Sequence, residues 1–175
     1  MIDPNEYFIP LNTEQKQIFK QQDFSKLLLK SQDFPVIGIT GEHNQRLIIN
    51  IQSVKKINPQ SFDYKITGYS KVKNNRCEFT GKLTLTDIYR REQLDYGVDE
   101  EYRQKGLINQ GVAVFQYEIN EQSDKTYCGQ FAGSAYVKWL KLKSNNHIQY
   151  DDVGYYRDGD FNSLFDGQWF SQNHQ

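Results

Sequence analysis

A chain of 175 residues with 21 Lys+Arg against 22 Asp+Glu fits one domain and carries a formal net charge of −1. That balance argues against a dedicated nucleic-acid binder, whose footprint is usually strongly basic. There is also no run of about eighteen apolar residues to span a bilayer. Mean hydropathy is low at −0.78, but 12 Tyr, 11 Phe and 2 Trp offer large rings for a core, which argues against intrinsic disorder.

Residues 1–34 read as an N-terminal helical arm. Asn12 or Thr13 can cap a helix running through Gln22, with Ile18 and Phe19 as its apolar points. A second short helix is expected over Ser25–Lys30, around Leu27, Leu28 and Leu29. The first thirty residues lack a basic stretch followed by an apolar one, so the expected residence is cytoplasmic, or periplasmic if a signal peptide has been removed.

From Pro35 onward the hydrophobic period changes to two, so residues 35–175 read as a single antiparallel β folding unit. Val36–Thr40 and Leu47–Ile51 are joined by a turn at residues 41–45. Tyr64–Val72 follows, then Asn74-Asn75 as a tight hairpin, because Asn tolerates positive φ. Residues 76–86 alternate most clearly, with Cys77, Phe79, Gly81, Leu83 and Leu85 on one face. Asp87–Gly106 reads as a long charged connection with a helical turn near residues 99–105, a length that in a compact β domain is often functional. Ala113, Phe115, Tyr117 and Ile119 then share a face, as do Phe131, Ala135, Val137 and Trp139. His147–Tyr150 and Leu164–Phe170 read as the last strands. The expected fold is mainly β: an antiparallel meander of about eight strands, closing into a barrel or strongly bent sheet. Phe79, Leu83, Leu85, Phe115, Tyr117, Phe131, Val137 and Trp139 are the expected inward residues. An aromatic or aliphatic residue followed two positions later by Gly recurs at Gly41, Gly68, Gly81, Gly133 and Gly167. A missing side chain there lets the sheet bend or a ring lie flat.

Few motifs point to chemistry. Cys77 and Cys128 lack C-x-x-C spacing and read as two buried free thiols, or as a single disulfide clipping two strands if the protein is exported. His43, His147 and His174 have no metal-ligand spacing, so no zinc or other cofactor is expected. Neither a G-x-S-x-G elbow nor a glycine-rich phosphate loop is present. Asp158, Asp160 and Asn162 begin a calcium-loop spacing, but Ser163 and Trp169 stand where Gly and Glu are required. Charge is segregated: residues 65–86 hold five cations against Glu78, whereas residues 150–175 hold five Asp against Arg157.

Asn162, Phe165, Gly167 and Trp169 match a pattern Asn-x-x-Phe-x-Gly-x-Trp. This resembles the C-terminal signature of a group of uncharacterised bacterial β-rich proteins, over about twenty of the 175 residues. The resemblance implies a bacterial origin and a β fold, and no activity. In outline the chain is also similar to lipocalin-like barrels, although the lipocalin Gly-x-Trp opening is missing.

Small size, abundant Tyr, segregated charge and the lack of a catalytic motif point to a non-enzymatic protein-binding module. The specific expectation is an immunity protein that neutralises a cognate toxin. Its working surface is expected at Asp151, Asp152, Tyr155, Tyr156, Asp158 and Asp160, together with Tyr102 on the long loop. The alternative is a calycin-like barrel holding a small apolar ligand, which requires an internal cavity. An enzyme is the third reading.

Overall fold

Period-two patterning over most of the chain is realised as one curled antiparallel sheet. The structure, a computed structural model, describes residues 8–30, 35–122, 126–145, 147–154 and 162–171. The strands are β1 (Phe8–Pro10), β2 (Val36–Thr40), β3 (Gln45–Lys56), β4 (Asp63–Val72), β5 (Asn75–Arg91), β6 (Leu107–Glu121), β7 (Gly129–Leu142), β8 (Gln149–Tyr150) and β9 (Ser163–Ser171). They run as a meander from β2 to β7, curled into a half-barrel. β8 and β9 share the far edge of β7, while β1 pairs with the end of β5. All eight expected inward residues are buried.

Two expectations about strand limits need correction. Asp87–Arg91 is strand, not loop: the β5–β6 register shifts between Leu85 and Asp87, so Ile88 rather than Asp87 turns inward and the simple alternation breaks there. The β4–β5 hairpin turns at Lys73-Asn74, because Val72 pairs with Asn75, and Lys73 carries the positive φ of 53°. The arm contains α1 (Thr13–Ile18), a 3-10 turn (Phe19–Gln21) and α2 (Ser25–Lys30). Asn12 caps α1 in a capping box: its side chain accepts from Gln15 N–H (2.9 Å), while the Gln15 side chain accepts from Asn12 N–H (3.1 Å).

The arm occupies the concave face of the sheet. Phe24, Leu27 and Leu28 are at most 2% exposed and join the strand side chains in one core. Phe115 meets Phe24 and Tyr64 edge-on, at centroid distances of 5.7 and 5.8 Å. Lys56 on β3 donates to the Lys20 and Gln22 carbonyls, fastening the sheet to the arm, and burial lowers its pKa. Glycines let rings and neighbouring backbone approach the strands closely. At Gly68 a Cβ would lie 2.8 Å from the Phe79 ring; at Gly111 it would strike the Tyr89 carbonyl and lie 2.7 Å from the Trp139 indole.

Cys77 and Cys128 form a disulfide, with Cα atoms 5.9 Å apart, so the free-thiol expectation is corrected. Strand pairing explains why: β5 and β7 flank β6, so Cys77 near the start of β5 and Cys128 just before β7 meet beyond its end, although 51 positions separate them.

Candidate functional site

The connection between β5 and β6, residues 92–106, is held by hydrogen bonds at both of its halves. Asp95 accepts from Gly97 N–H (3.0 Å) and lies 3.6 Å from the Arg91 guanidinium. The Asp95 N–H donates to the Gln110 side-chain oxygen at 2.7 Å. Gln110, only 1% exposed, donates in turn to the Asp151 carboxylate at 3.2 Å, and the other Asp151 oxygen accepts from Val153 N–H at 3.1 Å. One buried amide therefore ties the loop to the segment after β8. A buried amide with both ends satisfied is a specific fastening, because a displaced partner would leave a polar group without its hydrogen bond.

The outer half of the loop is built from α3 (Glu101–Gln104), entered through Glu100 at φ 51°. Tyr102 N–H donates to the Tyr96 carbonyl at 3.1 Å, tying the backbones of the two tyrosines together. The Arg103 guanidinium stacks 4.0 Å from the Tyr96 centroid, and Lys105 Nζ lies 4.2 Å from that of Tyr102. Arg103 pairs with Glu100 and Lys105 with Glu101, at 3.0 and 2.5 Å. The Tyr102 hydroxyl donates to Asp152. Burial, followed by that carboxylate, raises the Tyr102 pKa and keeps the phenol protonated as the donor. The chemistry offered is recognition: flat rings and fixed charges on an anchored loop.

Among the surface residues expected from sequence, Tyr102 and Asp152 are brought together. Asp151 is 6% exposed and holds the loop from within, not at a rim. Tyr155, Tyr156, Asp158 and Asp160, including the calcium-like turn, lie outside the described residues. Sequence reading missed Gln110 and Asp95. The available signal was a Gln directly before the apolar run from Gly111 to Phe115.

A second buried polar group sits at the opposite strand ends. Glu121 accepts from Ser70 Oγ, from Gly129 N–H (2.6 Å) and from the Trp169 indole N–H (3.1 Å). Its carboxylate lies within 4.8 Å of both disulfide sulfurs. Sulfurs joined to each other offer no thiolate, so this trio in its oxidised form serves architecture rather than metal binding. The Asn-x-x-Phe-x-Gly-x-Trp residues have structural contacts here: Phe165 meets Tyr117 at 5.6 Å, Gly167 pairs with Gly133, and Trp169 reaches Glu121. His43 and His147 are exposed, and His174 lies outside the described residues.

No family model, curated protein or solved structure matches this chain. Among the described residues, no helix is long and apolar enough to cross a membrane.

Proposed function

We propose that this chain is a non-enzymatic protein-binding module, and that it is an immunity protein blocking a cognate bacterial toxin. The observation that carries the reading is the anchored loop at residues 92–106, which presents Tyr96 and Tyr102 among fixed charges. Loops on a rigid β scaffold commonly carry binding, and an ordered loop loses less entropy when a partner docks. Tyr offers broad amphipathic contact area at low conformational cost. Occupation of the concave face by Phe24, Leu27 and Leu28 favours this reading over a carrier of an apolar ligand, which needs that space empty. The toxin as partner follows from the type of protein, small and rich in Tyr with segregated charge. The disulfide favours an oxidising compartment such as the periplasm over the cytoplasm.

The test is a biosensor measurement against the purified product of the adjacent gene. Tyr102→Ala is expected to weaken binding by about 2 kcal/mol, as truncation of an aromatic hot spot does. Tyr155→Ala or Tyr156→Ala should act in the same direction, and Asp158→Asn with Asp160→Asn should slow association most at low salt. Equal affinity for parent and variants would remove the proposed surface. Binding of a fluorescent fatty acid in the absence of any protein partner would replace the module with a carrier.

A further inference from the structure

The antiparallel topology sends the 92–106 loop to one end of the strands and the β2–β3 and β4–β5 turns to the other. Around these turns the outer surface is cationic. Arg46 on β3 and Lys71 and Lys73 at the end of β4 are exposed, and none has a carboxylate within ion-pairing distance among the described residues. With His43, Gln45 and Ile48 they line an open groove of about 540 Å³.

This groove borders a bare strand edge. β2 lies at the end of the sheet, and among the described residues nothing pairs with its free side. Natural edges are normally blunted by charge, proline or a bulge. β2 reads Val-Ile-Gly-Ile-Thr and has none of these within it. Its outward residues Ile37 and Ile39 are 56% and 72% exposed. Register places Ile37 beside Ile48 and then Lys71, and Ile39 beside Arg46. The same face therefore combines unpaired backbone groups, an apolar strip and a row of cations.

We propose that β2 is a docking edge for an extended segment of a protein partner whose outward-facing residues, every second one, include both apolar and acidic side chains. The segment adds as a further strand: its backbone satisfies the free groups of β2, and on its outward face apolar side chains cover Ile37 and Ile39 while carboxylates two positions along meet Arg46, Lys71 and Lys73. Main-chain pairing supplies affinity in such strand addition, while side chains set specificity. The unneutralised cations select an acidic segment and repel a basic one. This inference rests on the protein-binding reading and adds a second contact, at the end of the molecule away from the loop.

The experiment uses a short fluorescein-labelled peptide repeating Thr-Val-Thr-Glu (the Val-Glu peptide), which brings Val and Glu to one face, followed by anisotropy, with a peptide repeating Thr-Val-Thr-Lys (the Val-Lys peptide) as the charge control. The Val-Glu peptide should bind, more weakly as salt rises, and the Val-Lys peptide should not. Arg46→Glu with Lys71→Glu should weaken binding about tenfold or more. Ile37→Lys with Ile39→Lys should abolish it, and binding should slow amide exchange over residues 36–40. All four positions are solvent-facing in whole or part, and unchanged far-UV spectra and melting temperatures verify folding. The proposal is overturned if neither peptide binds, if both bind alike, or if the charge-reversed variant binds as the parent does. It is equally overturned if sedimentation shows a dimer that Ile37→Lys with Ile39→Lys dissolves, because a second copy is then the occupant. A toxin bound equally by parent and charge-reversed protein removes this edge alone and leaves the immunity reading standing.

Discussion

Tyr64 shows how a single side chain couples the arm to the sheet. It is 1% exposed; its hydroxyl accepts from Phe24 N–H at 3.3 Å and points its proton at the Gln22 carbonyl, 3.5 Å away. Ionising it would bury a phenolate, and burial accordingly pushes its pKa up to about 12. Tyr117 is pushed up to about 12 for the same reason, with Asp166 adding repulsion. Because both folded-state pKa values exceed the ordinary value of 10, their contribution to stability is complete below pH 10 and lost as pH rises toward 12. Melting temperature measured against pH should therefore hold to about pH 9 and fall steeply across that window. Replacing both by Phe should flatten the fall; a double variant as alkali-sensitive as the parent would show that other groups govern it.

At the scale of elements, the long strands are joined by pairing and the strand ends by the disulfide. Cys77–Cys128 bridges β5 and β7 across the end of β6, beside the Glu121 hydrogen bonds. In the chain-entropy account, closing a loop with a separation of 51 residues removes freedom chiefly from the unfolded state. Replacing both cysteines by Ser should cost about 2–4 kcal/mol in denaturant unfolding, with the sheet retained. An unchanged midpoint would mean the bridge contributes nothing. The same topology explains why the pairing was hidden: two cysteines distant in sequence become neighbours only once β5, β6 and β7 lie in register.

For the molecule as a whole, arm and sheet share one core. Leu27 and Leu28 lie outside the stretch that sequence patterning marks as β, yet they pack into its core and are 2% and 1% exposed. Truncating either to Ala should cost about 2–5 kcal/mol, as for other fully buried leucines. The loss should appear in a single unfolding transition followed by far-UV and aromatic signals together. An early, separate loss of helix would instead make the arm an independent layer. Charge is likewise distributed over the whole fold, with an ion-paired loop at one end and, at the other, Arg46, Lys71 and Lys73 without an ion-pair partner among the described residues.

Strand content, the positions of eight strands and the inward set from Phe79 to Trp139 were legible in the sequence, because a half-buried strand imposes alternation on its own residues. A helix cap at Asn12 or Thr13 and a helical turn near residues 99–105 were legible for similar reasons, being local over three or four positions; the structure selects Asn12. What only tertiary structure decided involves distant partners. The register shift after Leu85 depends on pairing with β6, and the burial of Asp151 on Gln110, 41 residues away. The filling of the concave face depends on where α2 comes to rest, and the position of β2 at the end of the sheet, unpaired on one side among the described residues, on the order in which the strands pair. Local patterning records a residue's preferred environment, but the identity of its neighbour is set by the closure of the chain.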